Sequence, residues 1–301
     1  MNITLDKCKG ALVGLAIGDA LGTAVEFLRP GTFEPITDIV GGGVLNLEAG
    51  KWTDDTSMAL CLADSLIEKQ GFDAFDQLEK YYKWFKNGYN SSENYCVDIG
   101  NATSRALYLY EDSAQPYCGD TSRLSAGNGS IMRLSPISIF YHNDLEKLLK
   151  YAALSSKTTH SAPQCIDSCK FMAYMVSELI KGADKNKVLD ANFWKFEELD
   201  DTLSEILKGT YKEKNPPEIN GEGYVITTLE AALWAFYNTD NFEEGALKVV
   251  NLGRDADTTG AVYGQIAGAY YGMSNIPEKW LKKLYKKSHI ESLAEKLYSL
   301  A

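Results

Sequence analysis

The stretch Gly10-Ala11-Leu12-Val13-Gly14-Leu15-Ala16-Ile17-Gly18-Asp19-Ala20-Leu21-Gly22 repeats glycine at a strict spacing of four. On an α-helix such residues fall on one stripe, so the spacing predicts a helix grooved for close approach by another backbone. Each glycine costs about 1 kcal/mol relative to alanine in a helix interior, and tight packing is the compensation. The same spacing recurs near the other end at Gly260, Gly264, Gly268 and Gly272. Two striped helices predict central, buried elements that carry the two ends of the chain toward each other. The apolar run from Gly10 to Phe27 resembles a short signal-peptide core behind two lysines, but Asp19 and Glu26 interrupt it. Neither a signal peptide nor a membrane span fits.

Each half carries one short acidic cluster, Thr53-Asp54-Asp55-Thr56 and Asp255-Ala256-Asp257-Thr258-Thr259. Like charges packed this closely are costly unless a cation sits among them. Both clusters precede apolar-periodic runs, the signature of a helix start, and there the helix dipole favours carboxylates even without a metal. Taken together, Asp54, Asp55, Asp255 and Asp257 with the hydroxyls of Thr53 and Thr258 offer six hard oxygen donors. That set suits Mg²⁺ or Mn²⁺ rather than Zn²⁺, and two ions with a bridging water would balance its charge.

The rest of the chain reads as helix after helix. Apolar residues recur at three-to-four spacing in Met58 to Glu68, Phe75 to Phe85, Ala102 to Tyr110, Leu145 to Leu154, Cys165 to Ile180, Leu199 to Leu207, Ile226 to Tyr237, Phe242 to Val250 and Leu293 to Leu300. No sustained period-two run marks a strand. Loops are expected at Arg29 to Lys51, with its glycine triplet, and at Lys208 to Gly223, with Pro216-Pro217; neither shifts composition enough to bound a domain. The reading is an all-α chain forming one domain over residues 1–301.

Composition narrows the function classes. A net charge of −11 and the lack of a basic stripe argue against a nucleic-acid partner. Only five arginines occur, so for an anionic ligand metal ions and helix N-termini must supply much of the positive potential. Six cysteines show no zinc-like array, and Cys165 and Cys169 fit the buried face of a helix as reduced thiols. Reduced thiols point to a cytoplasmic location.

Five blocks, Gly10 to Gly22 leading to Glu26, Trp52-Thr-Asp-Asp-Thr56, Gly127-Asn-Gly-Ser-Ile-Met-Arg133, Thr158-Thr-His160 and Gly253-Arg-Asp-Ala-Asp-Thr-Thr-Gly260, occur in this order. Their sequence resembles the ADP-ribosylglycohydrolase family, that of the dinitrogenase reductase activating glycohydrolase, over nearly the whole chain. The resemblance implies a compact, orthogonally packed all-helical, metal-dependent hydrolase that removes ADP-ribose from modified protein side chains; a monomer is expected. It implies Thr53, Asp54, Asp55, Asp255, Asp257 and Thr258 as ligands of two Mg²⁺ or Mn²⁺ ions, with Glu26, Asp55 and Asp98 as catalytic residues. Gly127, Asn128, Gly129, Ser130 and Met132 correspond to a diphosphate and ribose site, His160 to an ADP-ribose contact, and Tyr224 to a residue stacking on adenine. Asp98-Ile99-Gly100-Asn101 corresponds to a segment near the scissile linkage. A carboxylate there suits a guanidinium, which favours ADP-ribosyl-arginine as substrate. ADP-ribose on serine, a free ADP-ribose derivative, and a catalytically silent ADP-ribose-binding relative are the alternatives, as are direct water attack and a ring-opening route.

Overall fold

The structure, a computed structural model, describes residues 2–301. The helices are α1 (Ile3–Gly22), α2 (Asp54–Lys69), α3 (Ala74–Asn87), α4 (Asn101–Ser113), α5 (Ser135–Phe140), α6 (Leu145–Lys157) and α7 (Pro163–Ile180). They continue with α8 (Lys185–Val188), α9 (Asp201–Leu207), α10 (Val225–Tyr237), α11 (Phe242–Val250), α12 (Ala256–Tyr271), α13 (Glu278–Lys283) and α14 (Lys287–Ser299). Among the described residues there is no strand, only isolated bridges at Gly42–Leu47, Asp120–His160 and Gly127–Tyr224. The all-α expectation therefore holds, and every segment with sustained helical periodicity is a helix. The short helices α5, α8 and α13 have too few turns for a periodic stripe to register.

The two glycine stripes lie against each other. A β-carbon at Gly10 would press on the carbonyl of Gly268, one at Gly14 on that of Gly264, and one at Gly18 on that of Gly260. At Gly22 it would meet the backbone of Ala256 and Asp257. The helices are thus antiparallel, and the C-terminal end of α1 meets the N-terminal end of α12. All of α1 from Gly10 onward and nearly every residue of α12 are buried, and both helices join the core that runs through the molecule. Gly272 keeps the register of the stripe but falls outside the helix. It lies just past α12 with φ +81°, where it ends the helix, and it still faces α1, since a β-carbon there would press on the Asp6 side chain. No helix among the described residues is long and apolar enough to cross a membrane.

Candidate active site

Three helix ends converge where α1 stops. Asp19, in the last turn of α1, is fully buried and accepts hydrogen bonds from the first turn of α2: Thr53 N–H at 3.0 Å, Thr56 N–H at 3.0 Å, Thr53 Oγ1 at 2.9 Å and Thr56 Oγ1 at 2.6 Å. One side chain thereby satisfies amide groups that a helix start leaves unpaired. Thr53 is the N-cap of α2 and Asp255 that of α12, so both acidic clusters open helices as the sequence predicts. The stretch before α12 is held by Phe27 N–H on Arg254 O at 2.5 Å, Arg254 N–H on Leu28 O at 2.7 Å and Asp255 N–H on Gly221 O at 2.9 Å. Phe27, Asp98 and Arg254 all take positive φ around this centre. Non-glycine residues adopt that region rarely, and functional sites are where they gather.

The clusters meet at Thr53, whose hydroxyl lies 3.1 Å from Asp55 Oδ2, 3.1 Å from Asp257 Oδ2 and 2.9 Å from Asp19 Oδ1. One hydroxyl proton cannot serve three carboxylate oxygens. Thr258 Oγ1 stands 3.5 Å from the same Asp55 oxygen. Asp55 Oδ1 and Glu26 Oε2 are buried without any partner. Ligand atoms of Asp19, Asp55 and Asp257 lie within 4.8 Å of one another, as do those of Glu26, Asp98 and Asp257. Surplus oxygen acceptors, orphaned buried oxygens and the scarcity of protons among them fit a hard cation. The chain has the residues for a metal centre.

Burial raises the carboxylates first, and mutual repulsion adds to it. Asp19 is pushed up to about 6, with its four hydrogen bonds opposing the shift. Glu26 is pushed up to about 9 by burial, then by Asp98, Asp54 and Asp255. Asp54, Asp55 and Asp257 are raised well above the usual carboxylate range, and Asp98 is also raised by burial and by Asp255. Bound divalent charge would lower all of them.

Above this acidic floor opens a cleft of about 670 Å³. Glu26, Asp54, Asp98, Asp255 and Thr258 line one end, and Gly127, Asn128, Gly129, Met132, His160 and Tyr224 the other. Asn128 Nδ2 ties the ends together, donating to Asp255 Oδ2 at 2.8 Å and Thr228 Oγ1 at 2.9 Å. A second cavity, about 290 Å³ and lined by Phe171, Val188, Trp194 and Leu233, shares no residue with the cleft.

Residues 1–301 match the family model described as ADP-ribosylglycohydrolase. The chain belongs to the ADP-ribosylglycohydrolase family. It is 46% identical, over 298 residues covering 99% of this chain and 80% of the relative, to an ADP-ribosylarginine hydrolase of Serratia proteamaculans. It is 34% identical over 286 residues, covering 93% of this chain and 90% of the other, to the ADP-ribosyl-[dinitrogen reductase] glycohydrolase of Rhodospirillum rubrum. A solved structure titled ADP-ribosylglycohydrolase-related protein complex superposes with a TM-score of 0.90 at 42% identity, covering 100% of this chain and 99% of that one.

For an ADP-ribosylglycohydrolase, the residues expected from sequence fall into two groups. Glu26, Asp54, Asp98, Gly100, Asn101, Gly127, Asn128, Gly129, Met132, His160, Tyr224, Asp255 and Thr258 line the cleft. Thr53, Asp55 and Asp257 lie buried beneath it. Ser130 faces away, accepting from Ser156 Oγ at 2.9 Å and Cys169 Sγ at 3.4 Å. The segment from Gly127 is a run of turns, and the first helix after it begins at Ser135. Within it the Gly127 and Asn128 N–H groups are taken by Ser125 O and Gly223 O. Those of Gly129 and Ser130 have no partner among the described residues. Asp98 does not cap α4; Gly100 takes the N-cap position. Of the five arginines, Arg105 and Arg123 line the cleft, although Arg123 is paired with Asp200 at 2.5 Å.

Other contributors escaped the sequence reading. Asp19 reads there only as an interruption of an apolar run. Gln265, on α12, donates to Ile131 O at 3.0 Å and Met132 O at 2.7 Å, and its Oε1 accepts from Ser135 N–H at 2.7 Å. It pins the turn that carries Met132. A polar side chain in the middle of a glycine-striped buried helix was the available signal.

Proposed function

We propose that this chain, as one domain over residues 1–301, hydrolyses the N-glycosidic bond of ADP-ribosyl-arginine on modified proteins with two Mg²⁺ or Mn²⁺ ions. The observation that carries this reading is the continuity of the cleft, from an acidic floor with orphaned oxygens to a glycine turn with uncovered N–H groups. Relatives named for ADP-ribosylarginine hydrolysis support the choice of linkage.

The division of labour follows from position. The N–H groups of Gly129 and Ser130 face the anionic diphosphate, and Tyr224, at the cleft wall beside Gly127, offers a ring to the adenine. Asp98 meets the guanidinium of the modified arginine, because a carboxylate at the mouth of a buried acidic pocket favours a delocalised cation. Ions held by Thr53, Asp54, Asp55, Asp255, Asp257 and Thr258 would supply Lewis acidity and neutralise the carboxylate charge. Water adds at C1″ as the C1″–N bond breaks, and the guanidino nitrogen takes up a proton. Glu26, whose Oε2 has no protein partner, is placed to hold or pass that proton.

The deciding assay compares release of ADP-ribose from ADP-ribosyl-arginine and ADP-ribosyl-serine, each with Mg²⁺, Mn²⁺ and chelator. Arginine-linked substrate should be cleaved, only with divalent cation, and Asp55→Ala or Asp257→Ala should lose at least about a hundredfold in rate. Full activity in either variant or in chelator would sink the metal centre. Preference for serine would move the reading to that linkage.

A further inference from the structure

Arg133 is fully buried and makes no ion pair among the described residues. Its guanidinium carbon lies 4.5 Å from the centroid of the Tyr81 ring. Nη2 donates to Thr159 Oγ1 at 2.7 Å and, at longer range, to Thr158 Oγ1 at 3.4 Å. A buried cation with no anion is costly, so its few hydrogen bonds are the features to follow.

A guanidinium only donates, so the Thr159 oxygen accepts from it. The hydroxyl proton of Thr159 must then find its own acceptor. His160 Nδ1, at 2.8 Å, is the acceptor it has among the described residues. At 2.8 Å this hydroxyl and Nδ1 are at hydrogen-bond distance, and with the hydroxyl proton on that line Nδ1 bears the lone pair and Nε2 the proton. Burial and Arg133 push the imidazole down to about 3, which keeps the ring neutral across the physiological range.

Nε2 is directed at the glycine turn. A β-carbon at Gly127 would lie 3.4 Å from it, and one at Gly129 3.0 Å from it and 2.7 Å from Cε1. Glycine at both positions leaves room for the ring and leaves its N–H uncovered in the cleft. His160 Nε2 has no protein partner among the described residues.

We propose that Arg133 and Thr159 are positioning residues that lock His160 as the Nε2–H tautomer, a fixed neutral donor to a diphosphate oxygen lying over the Gly127–Gly129 turn. The identity of the acceptor rests on the ADP-ribose reading of the cleft; the tautomer does not.

Histidine-selective ¹⁵N labelling distinguishes protonated from bare ring nitrogens, and H142Q and H289Q variants assign the signals of the other two histidines. In the ligand-free protein His160 should show Nε2–H and a bare Nδ1. Thr159→Val, of equal size, should admit the other tautomer and weaken ADP-ribose binding by calorimetry about fivefold to tenfold, the worth of one neutral hydrogen bond. Thr159→Ser should restore both. A wild-type ring protonated at Nδ1, or a Thr159→Val protein with unchanged tautomer and affinity, would overturn the proposal. If Thr159→Val does not fold, the wild-type and Thr159→Ser spectra still decide it. Failure of the wild type to bind ADP-ribose while showing Nε2–H would instead overturn the functional reading.

Discussion

Asp19 joins two parts of the chain through four hydrogen bonds, accepting two amide and two hydroxyl protons from the first turn of α2. An asparagine there has one acceptor oxygen and an amide that confronts donors. Asp19→Asn should therefore lower stability by about 2–4 kcal/mol, since buried donors left unpaired cost about 1–3 kcal/mol each. Urea unfolding in chelator measures this, and a midpoint equal to wild type would contradict it. The same variant should weaken divalent binding, because Thr53 and Asp55 would lose their support. Nothing in the residue's surroundings in sequence, apolar and glycine-striped, marks Asp19 as more than an interruption. Its partners lie more than thirty positions away, at Thr53 and Thr56. By contrast, Asp54, Asp55, Asp255 and Asp257 were legible because their partners in charge are their immediate neighbours.

At the level of elements, the contact between α1 and α12 decides whether a site exists. Gly10, Gly14 and Gly18 exchange carbonyl contacts with Gly268, Gly264 and Gly260, so at these positions no side chain larger than hydrogen fits without separating the helices. Gly264→Ala should cost about 3 kcal/mol or more, an overpacking penalty at the upper end because the obstacle is backbone. Divalent affinity should fall with it, since the N-terminal end of α12 carries Asp255 and Asp257. Gly71→Ala, whose β-carbon would meet only Tyr141 Oη at 3.7 Å, should change neither. Thermal unfolding and metal titration of the two variants side by side test this, and a Gly264→Ala protein as stable as the Gly71→Ala control would refute it. The spacing of four announced both stripes, but their antiparallel register was beyond it. The turn at Gly127 shows the opposite case: glycines there signal backbone freedom equally well for a helix start and for a run of turns.

Across the whole molecule, a chain of net charge −11 collects its most deeply buried carboxylates at one place. In the unfolded chain these groups ionise near pH 4, whereas folding keeps Asp19 protonated up to about 6 and Glu26 up to about 9. Between those limits the folded state binds more protons, so their contribution to stability falls as pH rises. Saturating Mg²⁺ or Mn²⁺ removes that loss by binding the ionised form. Melting temperatures with chelator and with Mn²⁺ should therefore diverge as pH rises from about 5 to 9, and parallel curves would contradict a cation at this centre. What the sequence determined alone was local: helix periods, glycine stripes and acidic clusters are properties of near neighbours, and they sufficed for an all-α chain with an acidic pair of helix starts suited to a metal. Only the tertiary structure decided that Asp19 holds the first cluster, that Ser130 turns away from the cleft, and that Arg133 and Thr159 stand behind His160. Hydrogen bonds between residues far apart in the chain carry no periodic trace, because packing, not spacing, brings their atoms within 3 Å.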